Sequence, residues 1–109
     1  METNQAITAL TALGHATRLA AYRLLVEAGP AGRMAGDIGQ ALGVPGATLS
    51  FHLKELLLAG LVESESQGRH VCYRANFAAM NGLVDYLTHN CCAGATVVEC
   101  APASDACAC

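Results

Sequence analysis

The sequence has little charge, no lysine or arginine after position 74 and no long apolar run. Charged residues make up 14% of the 109 positions against 53% hydrophobic. A disordered chain shows the opposite balance, so a packed core is expected over most of a single domain. No apolar run reaches the ~20 residues that cross a bilayer, which argues against a membrane segment. Met1-Glu2-Thr3-Asn4 lacks the basic start and apolar stretch of a secretion signal, so a cytoplasmic location is expected. Lysine is nearly absent, Lys54 being the only one. All six Lys and Arg lie within residues 1–76, where six acids cancel them, and the net charge of −3 comes from Asp85, Glu99 and Asp105. The broad basic face of many nucleic-acid binders is missing, so any DNA contact must rest on a few placed side chains. Paired carboxylates, a nucleophile elbow and a phosphate loop are also missing, and an enzyme is not expected.

Cysteine is scarce where a secreted, stapled domain would spread it. Cys72 is the only one before position 91, while Cys91, Cys92, Cys100, Cys107 and Cys109 crowd the end. The core must therefore fold without bridges, and the terminal thiols read as ligands or redox groups.

Helical spacing of Ala6-Ile7, Leu10 and Leu13 predicts a first helix over about 4–12. A second runs from about His15 to Ala28 and stops at Gly29-Pro30. Ala31-Gly32-Arg33 reads as loop, Met34 to Leu42 as a short helix, and Gly43-Val44-Pro45-Gly46 as a turn. The strongest helix covers 47–59, with Leu49, Leu53, Leu56, Leu57 and Gly60 on one buried stripe and Gly60 as its cap. Thr48, Phe51, His52, Glu55 and Leu58 fall on its other faces. Leu61–Ser66 and His70–Arg74 read as two strands joined through Gln67-Gly68-Arg69. A last helix is expected over 78–90, with Met80, Leu83, Val84, Leu87 and Cys91 in line. The order α-α-α-α-β-β-α describes a mainly α winged helix-turn-helix with a β-hairpin wing. Residues 1–90 would form this winged helix-turn-helix domain, and 91–109 a flexible cysteine-rich tail. A 13-residue helix is about 20 Å long, a rod that fits the major groove of B-DNA.

Ser50, His52, Leu53 and Leu56, followed by Ala59-Gly60-Leu61-Val62, resemble the recognition helix of the ArsR/SmtB family of bacterial metalloregulatory repressors. Leu13 to Leu19 looks like that family's second-helix start, and Gly68-Arg69 with Tyr73-Arg74 like its wing. The resemblance spans roughly residues 5–90. It implies a homodimer that binds double-stranded, inverted-repeat operator DNA and releases it when a metal or metalloid binds, the first and last helices pairing across the dimer. The apolar stripes on those helices suit that use or an intramolecular core equally. Many arsenic- and cadmium-sensing members carry Cys-Val-Cys-Asp at the start of the third helix; here Met34 and Gly36 stand at the cysteine positions. A second family site, for zinc, is at best half present, with Asp85 and His89 spaced i, i+4 and no histidine beyond.

Thiolates select soft ions. Trivalent arsenic and antimony take three of them, and the spacing of Cys91-Cys92 does not suit structural zinc. Cys91, Cys92 and Cys100 are the expected ligands of arsenic(III), in a layout resembling arsenic-sensing members with a vicinal pair after the last helix. Cys107 or Cys109 is an alternative to Cys100. Cys72, beside Tyr73 in a strand, reads as a small buried hydrophobe. Thr48, Ser50 and His52 are expected to face DNA bases, and Arg33, Lys54 and Arg69 to reach phosphates. The function expected is an arsenic(III)-responsive repressor. The alternatives are a sensor of cadmium, lead or zinc, a redox- or reactive-sulfur-sensing repressor of the same fold, and a thiol-rich metalloid-sequestering protein that does not bind DNA.

Overall fold

A computed structural model describes residues 1–90 of the chain. Helix α1 covers Thr3–Leu13, α2 Ala16–Ala28, α3 Ala35–Leu42, α4 Gly46–Leu58 and α5 Phe77–Thr88. Strands β1 (Arg33–Met34), β2 (Val62–Gln67) and β3 (His70–Ala75) form an antiparallel sheet in the order β1-β3-β2. This is a winged helix-turn-helix, with β2 and β3 as the wing. No described helix is long and apolar enough to cross a membrane.

The core sits where the helices meet the root of the hairpin. Leu25, Ile38, Leu53, Leu56 and Leu61 are fully buried there, joining α2, α3, α4 and the start of the wing. Helix α1 contributes to the buried core through alanines alone. Its buried face is Ala6, Ala9 and Ala12, and the larger Ile7 and Leu10 point outward. Three small side chains let α1 pack closely while its bulk faces solvent.

The ends of α4 and α5 are locked together. Gly60, at φ +78, follows the last turn of α4. Leu61 N–H then bonds Leu56 C=O at 3.1 Å and Gly60 N–H bonds Leu57 C=O at 3.0 Å, the two hydrogen bonds of a Schellman ending. Asn76 caps α5 by accepting from Ala79 N–H at 3.2 Å, while its amide donates to Gly60 C=O at 3.1 Å. One side chain thus starts α5 and ties it to the end of α4.

Strand β1 is absent from the sequence reading, which placed Arg33 in a loop and began the third helix at Met34. Arg33 pairs with Tyr73 and Met34 with Cys72. Gly32 makes the approach possible: at φ +70, a Cβ there would lie 2.3 Å from Tyr73 C=O. The last helix also ends earlier than expected, at Thr88, with His89 in an extended conformation at its C-terminus. Asp85 and His89 therefore do not share one helix face. Cys91 and everything after it lie outside the described residues.

Candidate nucleic-acid interface

Helix α3 closes at Gly43, and Val44-Pro45 turn the chain into α4. Leu49, Leu53 and Leu56 turn inward on α4 and are buried. A side chain recurs on the same helix face at i+4 and i+7. The opposite face is therefore the line Ala47, Phe51, Lys54 and Leu58, all exposed. Thr48 and Ser50 flank it and are exposed as well. Phe51 is 55% exposed at the middle of this outer line. Sequence reasoning put it on a nonburied face without giving it a role; its i+4 spacing from Ala47 was the available signal.

His52 is corrected from an exposed DNA-facing residue to a buried one, with 6% of its surface accessible. It lies between Leu49 and Leu56 on the inner face of α4, and its polarity is met inside the protein. Arg18 of α2 donates from Nε to His52 Nδ1 at 3.1 Å. His15, the N-cap of α2, accepts from Thr17 N–H through Nδ1, and its ring centroid is 4.5 Å from that of His52. Burial first, then His15 and Arg18, lowers the His52 pKa from its ordinary value, with Glu55 opposing. Because Arg18 is a donor only, the imidazole is neutral at Nδ1 in this arrangement. The histidine joins α2 to the recognition helix.

The other five candidates remain accessible, on three elements. Thr48, Ser50 and Lys54 share α4; Arg69 sits at the tip of the wing; Arg33 lies on the edge strand β1 beside Asp37 and Gln40 of α3. Two of the remaining cations are neutralised. Arg74 meets Glu65 across the wing at 2.7 Å, and this contact depresses the Glu65 pKa and raises that of Arg74. Arg23 pairs with Glu27 at 3.8 Å on α2. Arg18 is engaged by His52 and stands 5.6 Å above the Phe51 ring. Among the described residues, Arg33, Lys54 and Arg69 are left with neither an ion pair nor a side-chain hydrogen bond. These are the three cations expected to reach phosphates.

No group of three or more His, Cys, Asp or Glu is arranged to hold a metal ion among the described residues. Cys72 is buried, as expected, and its thiol donates to Ala31 C=O at 3.5 Å. Cys91, Cys92 and Cys100 lie outside the described residues.

A family model described as a helix-turn-helix domain matches residues 13–65, from the end of α1 into β2. Among solved structures, an ArsR-like transcriptional regulator from Rhodococcus sp. RHA1 is 32% identical, over 77% of this chain and 76% of its own, with a TM-score of 0.64. The chain belongs to the ArsR family. The transcriptional repressor BigR from Xylella fastidiosa is 31% identical, over 83% of this chain and 89% of its own, with a TM-score of 0.63. A homodimeric winged helix-turn-helix DNA-binding domain from Mycobacterium bovis, a possible ArsR-family regulator, is 28% identical over 79% and 84%, with a TM-score of 0.61. No curated protein matches. As an ArsR-family winged helix-turn-helix protein, the chain is a DNA-binding transcriptional regulator rather than an enzyme.

Proposed function

We propose that this ArsR-family regulator is a homodimeric repressor that binds an inverted-repeat operator and releases it when trivalent arsenic, or antimony, binds. The observation that carries the DNA reading is the bare outer face of α4 together with three cations on α4, the wing and β1 that have no side-chain partner among the described residues. The N-terminal half of such a helix contacts base edges in the major groove. Thr48 and Ser50 supply hydroxyls to bases or phosphates; Arg33, Lys54 and Arg69 supply charge. That the BigR neighbour is a repressor supports the same role here.

The dimer reading rests on which side chains α1 and α5 leave uncovered. Ile7, Val84 and Leu87 are each more than half exposed, and Leu10 is exposed too. Thr3 and Tyr86 share a 2.6 Å hydrogen bond that holds α1 against α5, so these residues belong to one surface. A second copy would cover them, as in a self-complementary two-fold contact. The homodimeric Mycobacterium bovis neighbour agrees.

The inducer reading rests on donor chemistry. Five thiols and no histidine follow His89. Cys91, Cys92 and Cys100 would supply the three soft donors that trivalent arsenic takes, and the ion would tie the positions that follow α5 in sequence to the chain further on. Ligand binding of this kind needs thiolates, so affinity should rise with pH.

The test is operator binding in reduced, metal-free solution, using duplexes from a random library selected by the full chain. Six phosphate contacts per dimer predict a log K against log salt slope of about −5, and Arg69→Ala or Lys54→Ala should each flatten it by about 2. Arsenite or antimonite should release the duplex, while zinc and an oxidant should not. Failure to select any duplex would defeat the DNA reading. Release by oxidant alone would replace the metalloid with a thiol redox switch.

A further inference from the structure

We propose that Phe51 is a specificity residue that reads the C5-methyl group of a thymine in each operator half-site. The proposal rests on the reading of α4 as the recognition helix and adds to it a named base feature.

The outer line of α4 offers DNA almost no hydrogen-bonding chemistry. Ala47 and Phe51 are apolar, Lys54 is a flexible point charge, and Leu58 is apolar at the far end. The hydroxyls of Thr48 and Ser50 lie to the sides. Inward rotation of His52 removes the one ring that could have read a base edge. At the middle of the outer line, Phe51 therefore offers the bases an apolar contact. Among the four bases, thymine alone presents an apolar group in the major groove; the other edges show donors and acceptors.

Phe51 is also held for this task. Arg18 stands over its ring at 5.6 Å, and the His52 ring meets it at 63° with centroids 5.4 Å apart. Those contacts hold the ring from the protein side, and it is still 55% exposed. The fold gains little from a phenyl ring in water, whereas a ring fixed in advance loses less entropy when it binds. Its place in the sixth position of α4 lies in the N-terminal half, which enters the groove.

The test replaces each thymine of the library-selected duplex in turn with deoxyuridine, which deletes the methyl group and leaves the pairing edge unchanged. The full-length protein should show one symmetric thymine position where the change weakens binding. Loss of one buried methyl corresponds to about fourfold per half-site. With Phe51→Ala, binding to the thymine duplex should weaken and the uracil penalty at that position should vanish. With Phe51→Leu, part of the penalty should remain. Both variants should still fold, with a small loss of melting temperature at most, because more than half of the side chain is exposed. No uracil-sensitive position in the wild-type protein overturns the proposal. So does a penalty of undiminished size in Phe51→Ala, or a change in oligomeric state with no change in the penalty. Failure of the wild-type chain to select any duplex fails the recognition-helix reading itself, a result distinct from binding that ignores the methyl.

Discussion

A proton added to His52 would meet Arg18 and His15 inside the protein, where the neutral ring now accepts a hydrogen bond. Burial, His15 and Arg18 hold its pKa below 6.5, and Glu55 is the one opposing neighbour. In the unfolded chain the ring titrates at its ordinary value. Between the two pKa values the unfolded chain therefore binds more protons. Stability should hold above about pH 6.5 and fall as pH drops toward the folded-state value. Urea midpoints from pH 7.5 to 5 should show that decline, and His52→Asn should reduce it; a wild-type midpoint that does not move contradicts it. Tyr22 poses the opposite problem. Its hydroxyl is buried without a partner among the described residues, and burial raises its pKa. Tyr22→Phe removes an unsatisfied polar atom and should stabilise the fold by about 1 kcal/mol in thermal unfolding. A loss of stability would reveal an unrecognised partner.

At the scale of elements, Asn76 carries more than its place in a short connection suggests. It caps α5 and bonds the carbonyl that follows α4. Asn76→Ala should cost about 1–2 kcal/mol in urea unfolding, and Asn76→Asp, which keeps the cap, should cost less. Equal losses would mean that the bond to Gly60 dominates. The five helices and the wing were legible because their signals are local: helical spacing of apolar residues, Gly43 and Gly60 at ends, and Gly68-Arg69 between alternating strands. Strand β1 was not legible. Two residues, Arg33 and Met34, have no period, and only pairing with β3 some forty positions later makes them a strand. His52 was misplaced for a similar reason. Helical geometry puts it between Leu49 and Leu56, but its chemistry argued for solvent, and the partner that reconciles the two is Arg18, 34 residues away. On α1 the pattern correctly marked a helix but left open whether its larger apolar residues face the core or another copy, because a single chain's sequence does not separate the two; the exposure of Ile7 and Leu10 excludes the core for them.

At the scale of the whole molecule, the two proposed jobs fall on different surfaces: dimerisation on the uncovered residues of α1 and α5, DNA contact on the bare outer face of α4. Leu87→Glu should place like charges across the proposed two-fold contact, convert the dimer to monomer in sedimentation equilibrium and weaken operator binding at least tenfold. An unchanged dimer would move the contact elsewhere. Cys91 and Cys92 lie just past the end of α5 at Thr88 in sequence. A soft ion held there would act on the helix proposed to join two copies, and so on the spacing of the two recognition helices. Coupling of about 1–3 kcal/mol is enough to weaken DNA binding 5–150-fold. The most direct measurement is an arsenite titration of the operator-bound, reduced full-length protein, followed by fluorescence anisotropy, beside the Cys91→Ser/Cys92→Ser variant. The wild-type complex should dissociate while the double variant stays bound with unchanged DNA affinity. Wild-type protein that stays bound through the titration, or a variant that releases as readily, would contradict arsenic sensing by these thiols.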